Sequence, residues 1–314
     1  MPGSRVNADA WINEYISPAD IYQHGIERVL AFRETEYQQM YIVRSETQGM
    51  ALVLDGKWQS CERDEFLYHE PLVHVAAVNH GKPKSVLVLG GGEGATVREA
   101  LKWNSVERVV MVDIDGEVVE ACKQHLEVMH RGAFDDPRTE LVIGDALDYL
   151  DDSRGEYDII ISDLSDPIEQ GPSFKLFTKE YFEKCKRALR PDGYFVLQAG
   201  PLAPNQLPLH VRLVKTVGSV FANTASFGST VPTYSTAWGF VLGSDEPIEL
   251  NPDPVAIDAL LSTQTTGRFK MFDGRALLGL MHPPKHIRDG IDAETQVYTL
   301  AAPPKFFGKG HAGE

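Results

Sequence analysis

The sequence predicts an α/β protein, a doubly wound parallel sheet preceded by a small antiparallel β unit. Three observations carry this. From Ser85 onward, short apolar runs of strand length alternate with segments of helix length. Several of these runs, Val86–Leu89 first among them, are continuously apolar, as expected of strands buried on both faces. A glycine-rich turn, Gly90–Gly94, joins the first run to its helix. Alternating β and α elements build a parallel sheet through right-handed crossovers, and ligands bind such sheets beyond the carboxyl ends of the strands.

The elements follow in order. Between Tyr37 and Trp58, YQQMYIVRS and MALVLDGKWQS read as short β runs, joined by SETQG and turned by Asp55-Gly56. Residues 64–80 place apolar side chains at helical spacing, and the proline-containing HGKPKS after them marks a boundary. The expected domains are therefore 1–78, β-rich, and 79–314, the Rossmann-like sheet domain. After the glycine turn, a helix is expected near Ala95–Trp103, a strand over 108–115, a helix over Gly116–His130 and a strand over 139–145. The run 157–163 is a further buried strand, with a helix near Thr178–Leu189. A Pro191-Asp192-Gly193 turn then leads into a strand over 194–200.

The 314 residues are 43% hydrophobic, enough for a packed core, and carry a formal net charge of −15. Such acidity would repel phosphates, which argues against a nucleic-acid-binding module and suits a cationic small molecule. The charge is local. Residues 90–170 hold 20 acids and 7 bases, a net of −13, while the rest of the chain nets only −2. Three scattered cysteines, Cys61, Cys122 and Cys185, suggest neither a disulfide framework nor a cysteine metal site. With no apolar run of membrane length, the expectation is a cytoplasmic protein without membrane partners.

The strand ends carry the chemistry. Gly90-Gly91-Gly92-Glu93-Gly94 lets backbone approach a ligand closely, and Asp113 ends the next strand, 21 residues beyond Gly92. An acid there commonly bonds ribose hydroxyls, so an adenosine-containing ligand is expected. Asp145 and Ala146 follow the third strand, where a carboxylate could meet an adenine amino group; helix N-capping is the plainer role for Asp145. Asp163 and Asp166 end the fourth strand, two carboxylates able to hold an ammonium or take its proton. His69 and His74 lie one residue too far apart for a zinc helix and are interrupted by Pro71.

Gly90-x-Gly92-x-x-Ala95 fits a dinucleotide turn, yet Glu93 inside it would repel a pyrophosphate. S-adenosylmethionine in a methyltransferase is the other candidate, but Val88 stands where such enzymes usually carry an acid. A carboxylate-bearing methionine tail would also suffer beside Glu93 and Asp163. A decarboxylated tail, which ends in an amine alone, would be favoured by the same two groups.

GGGEGATVRE (90–99), VDID (112–115), IGDALDYL (143–150) and SDLSDP (162–167) closely resemble the polyamine aminopropyltransferases, the spermidine synthase family. The resemblance extends through YQQM (37–40), LDGKWQSCERDEFLYHE (54–70) and VPTY (231–234). It implies a Rossmann-like, methyltransferase-type sheet behind a β-rich N-terminal domain that serves oligomer contacts, hence a homodimer or homotetramer. It also implies decarboxylated S-adenosylmethionine as aminopropyl donor, methylthioadenosine as co-product, and no tightly bound cofactor or metal.

By the same resemblance, Gln38 and the Gly90–Gly94 loop line the nucleoside and sulfonium region. His69 and Glu93 contact the aminopropyl tail, Asp113 takes the ribose, and Asp145 and Ala146 flank the adenine. Asp163 is the catalytic acid–base residue, helped by Tyr68, while Tyr234, Asp166 and Gln198 serve the acceptor amine.

The acceptor is read from departures. Ser235-Thr236-Ala237-Trp238-Gly239 replaces the usual Pro-Ser-Gly after the tyrosine, and Gln198-Ala199-Gly200 ends the fifth strand where many spermidine synthases carry an acid. The segments 166–178 and 294–310 look like thermospermine synthases. Gly200 is expected to lengthen the acceptor pocket for a triamine, making spermidine the acceptor and thermospermine the product. Putrescine-using and spermine-forming activities are the alternatives. Trp11 and Tyr15 are candidates for the far end of that pocket, with packing as the plainer role for Trp11.

Overall fold

The computed structural model describes residues 10–167 and 173–305. Parts of the segments 166–178 and 294–310, read above for the acceptor, lie outside the described residues.

The chain opens with a hairpin, β1 (Ala10–Ser17) and β2 (Asp20–Ile26), then a four-stranded antiparallel sheet of β3 (Arg28–Glu34), β4 (Gln39–Ser45), β5 (Gly49–Leu54) and β6 (Lys57–Cys61). Successive strand side chains point to opposite faces, and both faces here are used. Ala31, Met40, Ile42 and Leu52 pack with Val118, Cys122 and Met129 of the following domain. Val43, Ala51, Val53 and Trp58 pack with Ile26 of the hairpin. The β unit expected over 37–58 is thus the second half of a larger one.

Helix α1 (Phe66–His80) contains Pro71 and runs across the expected boundary at 78/79. Its Tyr68, Leu72, Val73, Val75, Ala76 and Ala77 share a core with Val86, Val88, Ile159, Ile161 and Val196 of the large sheet.

The large sheet then follows: β7 (Ser85–Gly90), α2 (Ala95–Ala100), β8 (Arg108–Asp113), α3 (Gly116–His125), α4 (Glu127–His130), β9 (Thr139–Ile143), α5 (Ala146–Asp152), β10 (Tyr157–Asp163), α6 (Lys179–Ala188) and β11 (Leu189–Pro201). The chain ends through α7 (Leu207–Gly218), β12 (Asn223–Val231), β13 (Thr236–Ser244), α8 (Pro254–Gln264), α9 (Gly274–Leu280) and α10 (Lys285–Ala293). Strand order is β12-β13-β11-β10-β7-β8-β9. Five strands are parallel, as the sequence predicts, but β13 runs antiparallel to both neighbours. The short turn at 232–235 joins β12 to β13, and a hairpin can pair only antiparallel strands.

Other differences are local. The helix expected over 116–130 breaks at Leu126. The Pro-Asp-Gly turn lies inside β11, as a register break between the Tyr157–Leu189 and Ile159–Tyr194 pairs. Val86, Val88, Ile159 and Ile161 face the layer holding α1, while Leu87, Leu89 and Ile160 face Phe182, Cys185 and Leu213. Burial on both faces is what the unbroken apolar runs encode. Among the described residues, no helix is long and apolar enough to cross a membrane.

Candidate active site

The strand order reverses between β7 and β10, where Asp163 pairs with Gly90 across the ladder. At this point a cavity of about 410 Å³ opens between the carboxyl ends of the strands and the N-terminal β unit. Gly90 has φ +81°, and a Cβ there would lie 2.2 Å from the Asp163 carbonyl oxygen, so only glycine serves. The Gly91 N–H donates to that same carbonyl at 2.9 Å, which fixes the loop against the strand end.

Asp163 is oriented by two hydroxyls. Tyr68 donates to its Oδ1 at 2.7 Å and Thr96 to its Oδ2 at 2.5 Å. Burial and the nearby Glu93 push its carboxyl up, against His69 and the two hydroxyl bonds. The Tyr68 phenol, buried and beside Asp163, is pushed well above its ordinary range and remains a donor. Thr96 was not singled out in the sequence; its place in the first turn after the glycine loop is the only signal for it.

Behind Glu93 lies a buried chain of charge. His69 donates Nε2–H to Glu93 Oε1 at 2.8 Å and Nδ1–H to the Glu65 carbonyl at 2.8 Å and to Glu65 Oε2 at 3.1 Å. Burial alone would lower the His69 pKa, but bonds to both carboxylates raise it to about 10, so the ring is an imidazolium. Glu65 also takes a bond from Arg98 Nη2 at 2.7 Å; burial would raise its pKa, yet His69 and Arg98 hold it at about 2. Arg98 Nε continues to Glu99 at 2.9 Å, and Glu99 meets His74 Nε2 at 2.8 Å. Ligand atoms of His69, Glu93 and Asp163 lie within 4.8 Å of one another, but an imidazolium has no lone pair to give a metal.

The cavity brings together nearly all the residues singled out from the sequence: Gln38, Tyr68, Gly90, Gly92, Glu93, Asp113, Asp145, Ala146, Asp163, Asp166, Gln198 and Tyr234. Among the residues given donor, acceptor or catalytic roles by the resemblance, His69 is the exception. It does not line the cavity and reaches it only through Glu93.

Each lining residue is fixed by its own partners. Asp113, pushed up to about 7 by burial, accepts from the Asp115 N–H at 2.9 Å. Asp115 caps α3 and accepts from Thr35 Oγ1 at 2.6 Å and Gln38 Nε2 at 3.0 Å, tying the N-terminal turn to the strand end. Asp145 both lines the cavity and caps α5, accepting from Leu147 N–H at 2.7 Å. Gln198 donates to the Leu164 carbonyl at 2.9 Å and accepts from Trp238 Nε1 at 3.0 Å, bracing the 163–166 loop. Tyr234 donates its hydroxyl to the Gln59 carbonyl and packs edge-on to Trp238. Asp166 is pushed up to about 6 by burial, with Lys57 pulling the other way and Glu14 adding to the rise.

Two expectations for the far end are corrected. Trp11 is 47% exposed and does not line the cavity. It and Tyr15 stand on the opposite face of β1 from Glu14 and Ile16, which do line it. Gly200 does not line the cavity either. It has φ +76°, and a Cβ would press on Leu209 at 2.8 Å; Gln198, Pro201 and Trp238 form the wall there. Lys57, Trp58, Gln59 and Gln206 also line the cavity, and the sequence reading assigned none of them a role.

Fold and cleft together define a Rossmann-like, methyltransferase-type domain with an acid-lined pocket at its topological switch point, roofed by a β domain. Residues 65–252 match the spermine/spermidine synthase domain, and residues 10–62 match the spermidine synthase tetramerisation domain. The polyamine aminopropyltransferase of Synechococcus sp. (strain JA-2-3B'a(2-13)) is 50% identical over 302 residues, covering 94% of this chain and 97% of that protein. That of Aeropyrum pernix is 42% identical over 295 residues, 93% of each.

A spermidine synthase crystallised with the transition-state analogue AdoDATO has a TM-score of 0.84 at 29% identity, covering 92% of this chain and 97% of that one. Spermidine synthase from Thermotoga maritima gives 0.83 at 29% identity, with 92% and 96% covered. The chain belongs to the spermine/spermidine synthase family, the polyamine aminopropyltransferases.

Proposed function

We propose that the protein moves the aminopropyl group of decarboxylated S-adenosylmethionine onto spermidine, giving thermospermine and methylthioadenosine. The observation that carries this is a single cavity lined by the carboxylates of Glu14, Glu93, Asp163 and Asp166. Such a wall suits a donor ending in an amine and an acceptor longer than a diamine. Intact S-adenosylmethionine would bring its carboxylate against Glu93, which disfavours methyl transfer.

In this reading Asp113 takes the ribose, Asp145 and Ala146 the adenine, and Gln38 with the glycine loop the sulfonium region. Glu93, backed by His69, holds the donor amine. The acceptor's primary amine must lose a proton to expose its lone pair. That lone pair attacks the carbon beside sulfur, a C–N bond forms, and the C–S electron pair leaves with sulfur as neutral methylthioadenosine. Asp163, oriented by Tyr68 and Thr96, holds the attacking nitrogen and takes the one proton it must lose, passing it on to water, so that the product leaves as a secondary ammonium. Holding nitrogen, carbon and sulfur in line supplies much of the acceleration. Asp166, Gln198 and Tyr234 flank the acceptor. The match to a tetramerisation domain, together with exposed Trp11, Ile21, Val29 and Phe32 on β1–β3, supports a homo-oligomer. A cytoplasmic location fits its three free cysteines.

The test is an acceptor panel. The enzyme is incubated with decarboxylated S-adenosylmethionine and putrescine, spermidine or norspermidine, and products are resolved chromatographically. Spermidine is expected to give thermospermine. Turnover of putrescine but not spermidine would overturn the acceptor, a spermine product would overturn the regiochemistry, and no methylthioadenosine with any amine would overturn the reaction.

A further inference from the structure

Helix α2 follows the glycine loop at once and carries two arms. Thr96 reaches Asp163, whereas Arg98, two residues on and so on the opposite face, reaches away from the cavity. Arg98 is 8% exposed, and each of its side-chain nitrogens has a partner. Nη2 lies 2.7 Å from Glu65 Oε2 and 2.8 Å from Glu99 Oε1, Nε lies 2.9 Å from Glu99 Oε1, and Nη1 donates to the Met129 carbonyl. Glu65, 2% exposed, stands one turn before His69, which sets its carboxylate on the Nδ1 side of that ring at 3.1 Å. Outward from Glu65 the charges go on alternating through Arg98 and Glu99 to Lys102, whose Nζ is 2.7 Å from Glu99 Oε2. Of this chain only Glu93, at its inner end, lines the cavity.

The two ring nitrogens of His69 are not equivalent. Nδ1 faces the Glu65 carbonyl at 2.8 Å, an oxygen that can only accept, so Nδ1 carries a hydrogen whatever the charge of the ring. Nε2, 2.8 Å from Glu93 Oε1, carries a second hydrogen only while the ring is an imidazolium. Were that hydrogen lost, a nitrogen lone pair would face the carboxylate and repel it. The charge of Glu93 also acts on Tyr68, Asp113, Cys122, Asp163 and Tyr234, none of them a cation, so the hold on Glu93 is His69. Taking the donor subsite proposed above as given, we propose that Arg98 is a positioning residue for the donor amine, acting through Glu65 to keep both nitrogens of His69 as donors and Glu93 fixed in aim. Arg98 itself touches no part of the cavity. Without its guanidinium, Glu65 is a buried carboxylate with His69 as its one remaining cation among the described residues, and taking up a proton relieves the burial. A neutral Glu65 no longer holds charge on the ring, whose Nε2 proton then leaves as pH rises through the ordinary histidine range, about 6.5. The donor amine loses a fixed carboxylate, while the nucleoside, held at the strand ends, loses nothing. Helix α2 thus aims both acids, Asp163 directly through Thr96 and Glu93 remotely through Arg98.

The experiment measures, by calorimetry without acceptor, the Kd of decarboxylated S-adenosylmethionine and that of methylthioadenosine, which lacks the amine. The full chain, Arg98→Met and Glu65→Gln are compared at about pH 6 and about pH 8.5. Both variants should weaken decarboxylated S-adenosylmethionine by about threefold or less at the lower pH, where an ordinary histidine is still mostly charged. At the higher pH the loss should be roughly ten- to hundredfold, that of a charge-assisted hydrogen bond. Methylthioadenosine should change by less than about twofold at either pH. Equal weakening of both ligands, or a loss that does not grow with pH, marks a merely structural role and would overturn the inference. If neither variant folds, nitrogen NMR of wild-type His69 decides: both ring nitrogens should stay protonated up to about pH 10, and an Nε2 that titrates in the ordinary range would overturn it. A wild type that binds decarboxylated S-adenosylmethionine no better than methylthioadenosine would overturn the donor subsite and this inference with it. One that does, with folded variants unchanged, would overturn this inference alone.

Discussion

At one end of the cleft, Glu93 is bonded to a His69 imidazolium whose other nitrogen is bonded to Glu65, and Glu65 is held by Arg98. Each member has partners at hydrogen-bond distance before any ligand arrives. By contrast, among the described residues Glu14 has one long hydrogen bond, with Lys57 Nζ and His24 Nε2 just beyond hydrogen-bond reach. Preorganised charge serves best where the geometry must be fixed in advance, as at a reacting carbon. A carboxylate left short of partners serves best where the ligand itself is to complete the site and be recognised by doing so.

The contrast can be tested by breaking each end. The largest effect lies between them: Asp163→Asn should cut turnover by about 10²–10⁴-fold while methylthioadenosine still binds, measured by product release and by calorimetry. Turnover within a few-fold of wild type would remove Asp163 from the reaction. Next, Glu65→Gln should destabilise the protein by about 3–5 kcal/mol, since it strands Arg98 and His69 in a buried network. Denaturant unfolding would read this, and Glu14→Gln, removing a carboxylate that is barely bonded, should cost less than about 1 kcal/mol by the same method. Similar losses at both sites would erase the distinction.

The smallest effect concerns pH. With Asp166 pushed up to about 6, its carboxyl is protonated in the free enzyme below that pH and ionised above it. The acceptor KM should therefore fall as pH rises through about 6, and Asp166→Asn should flatten that limb of the profile. The linkage sign agrees. A raised carboxyl binds more protons folded than unfolded, so its own contribution to the stability of the ligand-free enzyme declines as pH rises through the same window, the interval in which the cationic acceptor gains a counter-ion.

The parts of this architecture legible in the sequence are those with a local cause. Val86–Leu89 and 157–163 are apolar without a break because both faces of their strands are covered, and the acids at their ends stand where the strand direction puts them. β1–β3 were not legible. AWINEYIS, DIYQHGI and RVLAFRE bury only one or two side chains each, so no alternation marks them as strands. Glu14 was not assigned to the site for the same reason, and Lys57, although on a run read as β, reaches it only through tertiary packing. Nor could spacing reveal that His69 stands behind Glu93, or that Arg98 returns to Glu65 across 33 residues of chain. Gly200 was read as an opening in the pocket, when a positive φ and the neighbouring Leu209 are what require it.

One arrangement in the roof of the cleft has a meaning for how such an enzyme changes over generations. Asp163, Glu93 and Asp113 hang from the large sheet, whereas Glu14, Lys57 and Gln59 descend from the first 61 residues, and Asp115 clamps the two layers at the Thr35–Gln38 turn. Under the proposed reaction, the acids at the reacting centre and part of the acceptor wall are thus inherited on separate stretches of polypeptide. Substitutions in the roof can retune which amine is admitted while the reacting centre stays as it was, so one chemistry can supply a range of products.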